Sequence, residues 1–226
     1  MLAGQAIMIN WSDVAVENRQ PYYDWHSCEH MVGRVAIPGF QRGRRFIAAR
    51  AQRDFLMLYE VDSLAVLQGA DYMAKANNPS ALTQRTTKLI SNSIRALAKV
   101  ELSLGIGQGA HILTLRFGPG DDELKLRQYL IDKALPQIIA MPEIVATHLC
   151  IADQQASNVV PVERKGRPTI VPNWIVLIEG ITLEALDRAC DAHLADAMLH
   201  RHDCVGAIER ETYSLQLAVT KPRSAT

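Results

Sequence analysis

The sequence lacks any long hydrophobic run and any excess of one charge. No apolar stretch reaches the roughly eighteen residues that a membrane-spanning helix needs. Lys+Arg and Asp+Glu number 24 each among 226 residues. Such a balanced chain does not have the basic excess that phosphate backbones attract. We therefore expect neither a membrane nor a nucleic acid as partner.

Cysteines are few, and sequence signals for a cofactor or for secretion are missing. The four cysteines (Cys28, Cys150, Cys190 and Cys204) form no CxxC motif. The N-terminal MLAGQAIMINWSD has neither the basic nor the apolar region of a signal peptide. No phosphate-binding loop, dinucleotide fingerprint or nucleophile elbow occurs. We expect reduced thiols, a cytoplasmic location and no cofactor.

Hydrophobic periodicity divides the chain into two halves with the same element order. The first half is predicted as strand, helix, strand, strand, helix and strand at residues 5–11, 21–36, 40–49, 55–61, 64–90 and 95–104. The second half repeats that order at residues 110–117, 121–140, 144–152, 173–181, 183–200 and 206–219. The sequence therefore predicts two copies of one unit.

Direct alignment of the halves supports the repeat. Residues 55–67 match 174–186 at an offset of 119, which places Glu60 on Glu179. Farther upstream the offset is 104, so the second half contains extra residues. They fall in the polar, proline-rich segment 154–172, which we expect to be an inserted loop and the longest irregular segment.

The β-α-β-β-α-β order predicts a ferredoxin-like unit, with four antiparallel strands and both helices on one face. The opposite sheet face would be apolar and exposed, which two sheets relieve by packing together. We therefore predict an α+β fold with tandem ferredoxin-like units, 1–105 and 108–226, that form a barrel within one chain. Helix-side surfaces and edge strands often pair again, so we also expect a homodimer.

Three motifs of the first half carry a family resemblance. They are a histidine-bearing helix before a Pro-Gly turn (EHMVGRVAIPGF, with His30), an arginine-bearing strand (QRGRRF), and a Tyr-Glu strand before the second helix (LMLYEVDSLAVL). With these the chain resembles the dimeric α+β barrel superfamily and, within it, the EthD-like branch. The resemblance implies a small barrel enzyme, usually without a cofactor, with a pocket between sheet and helices. Relatives include isomerases, cyclases, monooxygenases and haem binders, so the fold does not fix the function.

The stretch DWHSCEHMVGR contains the H-x-x-E-H pattern of inverted zinc peptidases, with His26, Glu29 and His30. A zinc site needs a third protein ligand, for which Glu60 or Glu101 is available. Those peptidases are far larger, and the predicted fold already accounts for this helix, so we expect no metal.

Acid–base chemistry is the preferred interpretation of this helix, because the pKa of histidine lies close to neutrality. His30 would transfer a proton, His26 would assist, and Glu29 would fix the tautomer of an imidazole. At the offset of 104 the second half has Leu130, Lys133 and Ala134 at these positions. The loss of the polar set in one copy favours a role in a site over a role in folding.

Five further residues are expected to contact the substrate: Tyr59, Arg42, Arg44, Trp11 and Asn10. Arg42 and Arg44 share one face of a strand and suit an anionic group, although a charged edge strand is the alternative. Alternation does not decide whether Tyr59 or Glu60 faces the barrel interior.

Together these features predict a small enzyme that uses histidine acid–base chemistry on a small aromatic or enolisable, anionic compound. Isomerisation, cyclisation, elimination and cofactor-free oxygenation are all compatible with this chemistry. A non-catalytic barrel that binds a small ligand, or a haem-binding barrel, is the alternative.

Overall fold

Eight antiparallel strands form a closed barrel in the computed structural model, which describes residues 1–221. Around the barrel their order is β1-β3-β2-β8-β5-β7-β6-β4. The strands are β1 (Ala6–Val14), β2 (Phe40–Arg50), β3 (Phe55–Val61), β4 (Ile90–Gly105), β5 (His111–Pro119), β6 (Ile144–Ala152), β7 (Trp174–Gly180) and β8 (Cys204–Thr220).

The strand order confirms the predicted fold class. The first half runs β4-β1-β3-β2 and the second half runs β8-β5-β7-β6, which is the ferredoxin-like order in both cases. The halves join through β2–β8 and β4–β6 pairing. Closure leaves no free strand edge within residues 1–221, so edge pairing no longer supports the predicted homodimer. The domain boundaries and the homodimer stay predictions.

Helices cover the outside of the barrel. In the first half they are Arg19–Trp25, Met31–Val35, Ala70–Asn77 and Ala81–Thr86, with 3₁₀ turns at Val16–Asn18, Leu64–Leu67 and Thr87–Leu89. In the second half they are Glu123–Gln128, Leu135–Ile139, Gln154–Ser157, Leu183–His193 and Asp196–Arg201, with a 3₁₀ turn at Val162–Arg164. Over the described part of the chain, no helix combines the length and the apolar character needed to span a bilayer.

Two of the helices continue through a π-helical turn. His26–His30 joins Arg19–Trp25 to Met31–Val35, and Tyr129–Ala134 joins the corresponding pieces of the second half. We refer to the continuous segments as helix 19–35 and helix 123–139. The predicted helix 64–90 is instead broken near Pro79, because proline cannot continue a helix beyond its first turn.

The hydrophobic core has three parts. One cluster contains strand residues of both halves but no helix residue, and it fills the barrel with side chains such as Ile7, Leu58 and Leu177. The other two clusters lie between each half-sheet and its own helices. In each half, the face of the sheet that points away from the barrel interior is therefore covered by helices.

The segment 154–172 extends from the second half onto the first. After the short helix Gln154–Ser157, residues 158–172 form what we call the covering loop. The amide of Ile170 donates to the carbonyl of Ser93 over 3.2 Å, and the amide of Arg95 donates to the carbonyl of Ile170 over 2.9 Å. The insertion is thus anchored on β4 of the other half.

Candidate functional site

A cavity of about 70 Å³ lies between the outer face of the first half-sheet and helix 19–35, and the covering loop closes it. The sheet contributes Met8, Asn10, Met57, Tyr59 and Arg95, and the helix contributes Trp25, His26, His30 and Arg34. The covering loop adds Glu163, Arg164 and Arg167. The cavity is therefore assembled from both halves of the chain.

Helix 19–35 directs both histidines toward the sheet. Tyr22, Trp25 and Met31 are buried against the sheet and fix the helix there. The rings of His26 and His30 lie 5.6 Å apart, centroid to centroid, within the π-helical turn. Wide turns of this kind interrupt helices frequently at functional sites.

His26 is buried and makes two polar contacts. Its Nδ1 lies 3.3 Å from Arg45 Nη1, and its Nε2 lies 3.4 Å from the hydroxyl oxygen of Tyr59. A guanidinium can only donate, so Nδ1 accepts and the ring proton sits on Nε2, which donates to Tyr59. Burial, and next the charge of Arg45, lowers the pKa of His26 to about 3. The ring is therefore neutral, and the Tyr59 hydroxyl proton is available to the cavity.

His30 is less buried and borders the cavity directly. Its ring packs against Trp25 with centroids 4.4 Å apart. Within residues 1–221 its ring nitrogens make no hydrogen bond. Burial contributes most to lowering the pKa of His30 well below its usual value, followed by its basic neighbours Arg34, His26, Arg167 and Lys75. At neutral pH His30 is thus unprotonated and can accept a proton.

Glu29 points away from the two imidazoles. Its carboxylate accepts hydrogen bonds from the hydroxyls of Ser80 and Thr83, the latter over 2.9 Å. Thr83 also accepts from the indole of Trp25 over 2.9 Å. Glu29 therefore ties helix 19–35 to the helix Ala81–Thr86, and nothing in this geometry supports the expected role in fixing a histidine tautomer.

The geometry does not suit the zinc interpretation of the H-x-x-E-H pattern. Glu60 is inside the barrel, where Arg42 binds its carboxylate. In the part of the chain that the structure describes, no three His, Cys, Asp or Glu side chains are grouped closely enough to hold a metal ion.

Strand alternation separates the other expected contact residues. Asn10 and Tyr59 face the cavity, whereas Trp11, Arg42 and Arg44 face the barrel interior. There Arg42 Nη2 lies 2.6 Å from Glu60, Arg44 Nη1 lies 2.7 Å from Glu179, and the indole of Trp11 donates to Thr114 over 3.2 Å. These three side chains stabilise the barrel interior and do not line the cavity.

Sequence reasoning missed the arginines that do approach the cavity. Arg34 follows His30 by four residues on the same helix, so helical spacing could have identified it. Arg45 points to the opposite strand face from Arg44 and reaches His26 instead of the interior. Arg95 lies opposite Asn10 in the β1–β4 pairing, which only the strand register reveals.

The equivalent positions of the second half are apolar and packed. Six polar positions around the first-half cavity have counterparts that are all part of the second-half hydrophobic core. Asn10, His26, His30, Arg34, Arg45 and Tyr59 correspond to Leu115, Leu130, Ala134, Ile138, Leu149 and Ile178. The same fold thus packs solidly when these positions are apolar, so folding does not require the polar set.

Comparison with solved structures supports the fold of the whole chain. An anthrone oxidase-like protein superposes with a TM-score of 0.67 and 11% identity, covering 95% of this chain and 92% of that one. A heme-binding protein from Thermus thermophilus superposes with a TM-score of 0.55 and 10% identity, covering 93% of this chain and 91% of that one. A monooxygenase-like protein from Listeria innocua superposes with a TM-score of 0.52 and 10% identity, covering 95% of this chain and 96% of that one. No protein-family model matches the sequence, and comparison with curated proteins finds no match.

Proposed function

We propose that the protein is a small enzyme of the EthD-like type that acts without a cofactor on a small aromatic or enolisable, anionic compound. His30 is the general base, and His26, Tyr59 and Asn10 position the substrate. The observation that carries this proposal is the neutral histidine pair, which shares one cavity with the Tyr59 hydroxyl and is replaced by apolar residues in the second half.

The chemistry begins with proton removal. His30 accepts a proton from a carbon beside a carbonyl group, and the electron pair moves onto the carbonyl oxygen to form an enolate. The hydroxyl of Tyr59 donates a hydrogen bond to that oxygen, while Nε2–H of His26 holds the tyrosine oxygen in place. A histidine of lowered pKa is a weak base, so the reaction depends on this stabilisation of the enolate.

The next step decides the reaction class. In an isomerisation the protonated His30 returns the proton to a different carbon. In an elimination the electron pair expels a leaving group. In a cofactor-free oxygenation O₂ accepts the electron pair of the enolate and forms a bond to its carbon, and the resulting peroxide anion takes the proton back from His30. Two structural neighbours are named as anthrone oxidase-like and monooxygenase-like, and anthrone is an enolisable ketone between aromatic rings. Anthrone is therefore a suitable first probe.

Deuterium exchange tests the proton-removal step separately from oxidation. Anthrone is incubated with the protein in D₂O buffer under argon, and deuterium at its methylene carbon is followed by mass spectrometry. The unmodified protein should accelerate exchange, and His30→Ala should lose on the order of 10²- to 10⁴-fold of that acceleration. His193→Ala, on a helix of the second half, is the matched control. If the unmodified protein gives no acceleration, the general-base proposal for this probe fails.

A non-catalytic barrel that binds a small ligand or haem is the second candidate. The absence of any hydrogen bond to the His30 ring within residues 1–221 favours it, because such a nitrogen is also suited to ligation. Titration with hemin distinguishes the cases. A Soret shift that His30→Ala abolishes supports haem binding, whereas a ligand-induced rise in melting temperature without exchange supports simple binding.

A further inference from the structure

Four arginines and one carboxylate line the cavity. Arg34 and Arg95 are buried, with 2% and 4% of their surface exposed, and Arg164 and Arg167 are contributed by the covering loop. Glu163 is the acidic member of the lining set and forms an ion pair with Arg34. The lining side chains therefore carry three more positive charges than negative ones.

Two buried guanidinium nitrogens of the cavity lining have no hydrogen-bond partner. Nη1 of Arg34 and Nη1 of Arg95 are inaccessible to solvent and make no hydrogen bond within residues 1–221. An unsatisfied buried donor destabilises the folded protein, and more so when it is charged. A ligand with acceptor atoms would satisfy these two donors, for which residues 1–221 provide no acceptor.

Tyr72 connects these two arginines. The guanidinium carbon of Arg34 lies 5.0 Å from the centre of the Tyr72 ring, and Nη2 of Arg95 lies 3.3 Å from the Tyr72 hydroxyl. The phenol ring and its hydroxyl thereby hold both guanidinium groups on the same wall of the cavity.

Several arginines elsewhere in the protein do face carboxylates. Arg42 and Arg44 contact Glu60 and Glu179 inside the barrel. Arg210, which corresponds to Arg95 in the second half, forms an ion pair with Asp196. Buried arginines without a carboxylate partner are thus concentrated in and beside the cavity of the first half, where Arg45 contacts His26. An external anion in the cavity would neutralise this charge.

We propose that Arg34 and Arg95 bind the carboxylate of an aromatic acid, with Arg164 and Arg167 closing over the bound group. This inference rests on the proposed function and specifies its substrate class. Met8, Met57 and Trp25 form an apolar wall that suits the aromatic ring. With its carboxylate on the arginines, the ring of the ligand extends toward His30.

The apolar side of the cavity favours a carboxylate of an organic acid over inorganic phosphate. A planar guanidinium binds the oxygens of carboxylate and phosphate alike, and Arg34 already binds the carboxylate of Glu163. The apolar wall beside it contributes binding free energy only when the ligand carries an apolar body.

Benzoate and benzamide provide a matched pair of probes, because they differ in charge but hardly in shape. Isothermal titration of the unmodified protein should give benzoate a dissociation constant at least about tenfold lower than benzamide. Arg95→Gln should reduce that ratio to near one, and Arg167→Gln should reduce it partially. Arg85→Gln, an exposed change on the helix Ala81–Thr86, should leave the ratio unchanged.

Several outcomes would overturn the inference. Equal affinity for benzoate and benzamide in the unmodified protein is one, and tighter binding of inorganic phosphate than of benzoate is another. A third contradicting outcome is that a folded Arg95→Gln variant keeps the preference for benzoate. If Arg95→Gln does not fold, an unchanged preference in Arg167→Gln has the same meaning. Circular dichroism and thermal melting establish folding for each variant.

The test separates this inference from the proposed catalysis. His30→Ala should bind benzoate within about threefold of the unmodified protein, because His30 acts on the reacting carbon and not on the acid group. A clear benzoate preference without anthrone exchange would leave the carboxylate site standing and remove the general-base proposal for anthrone. Anthrone exchange without the benzoate preference would support the general base and remove the carboxylate site.

Discussion

Arg44 and His148 occupy equivalent positions in the two halves, and both approach the carboxylate of Glu179. Arg44 Nη1 lies 2.7 Å from one oxygen and His148 Nε2 lies 3.5 Å from the other. Burial alone would raise the pKa of Glu179, but the neighbouring His148 and the charge of Arg44 lower it to about 2. Arg44 also lies 3.1 Å from Glu60. One guanidinium thus joins the equivalent glutamates of both halves.

Replacing Arg44 with alanine should destabilise the barrel strongly. Glu60 and Glu179 would then lose their shared buried cation, a change that typically costs about 3–5 kcal/mol of unfolding free energy. Urea unfolding measures the loss, with the exposed Arg85→Ala as control. Benzoate affinity should be unchanged in the folded fraction, because Arg44 faces the barrel interior. A stability within about 1 kcal/mol of the parent would contradict the importance of this network.

Tyr59→Phe should impair catalysis without unfolding the protein. The phenylalanine ring fills the same space, while the hydroxyl that would stabilise the enolate is gone. Loss of one such donor lowers the rate on the order of a hundredfold or more. The exchange assay with anthrone measures the effect, and thermal melting checks the fold. An unchanged exchange rate would remove Tyr59 from the proposed mechanism.

His26→Leu should make the protein relatively more stable in acid. His26 has a pKa of about 3 in the folded state and about 6.5 when unfolded. As the pH falls below 6.5, the unfolded state binds a proton that the folded state does not. Stability therefore decreases by up to about 1.4 kcal/mol per pH unit down to about pH 3.

The substituted chain lacks this linkage, and leucine is the residue that the second half has at this position. The free energy of unfolding is measured with urea at pH 7, 6, 5 and 4 for the parent and for His26→Leu. Between pH 7 and pH 4 the parent should lose about 3 kcal/mol more of this free energy than the variant. A pH-independent difference would mean that the pKa of His26 is the same in the folded and the unfolded protein.

The ion pair between Arg34 and Glu163 should show measurable coupling. Both side chains are largely buried, and they link helix 19–35 to the covering loop. A double-mutant cycle with Arg34→Met and Glu163→Gln should give an interaction energy of about 0.5–3 kcal/mol in thermal or urea unfolding. Exposed Arg50 and Asp187 form a matched control pair, for which about 0.2–1 kcal/mol is expected. Equal coupling in the two pairs would show that the covering loop is not held by Arg34.

The sequence was sufficient to predict the fold because its hydrophobic patterns are local and repeated. Alternation located the strands, and the match of Glu60 with Glu179 indicated the repeat. Alternation assigns residues to two faces but does not say which face points into the barrel. This is why Arg42 and Arg44 were expected at the substrate and instead lie among interior carboxylates.

The cavity itself depends on contacts that are distant in sequence. His30 and Tyr59 could be proposed from one helix and one strand motif. Glu163 and Arg167 could not, because the loop that carries them belongs to the other half and reaches the cavity only through tertiary packing. The similar backbone widening at Tyr129–Ala134 likewise gives no sequence signal.

The covering loop makes ligand binding a property of the assembled barrel. Arg34 and Glu163 are 129 residues apart in sequence, and their contact exists only when both halves have docked. A ligand held between helix 19–35 and the covering loop therefore adds its binding free energy to the cooperative unfolding of the whole chain and not to one half alone. A saturating ligand should accordingly raise the melting temperature of a single transition, without separating that transition into two steps.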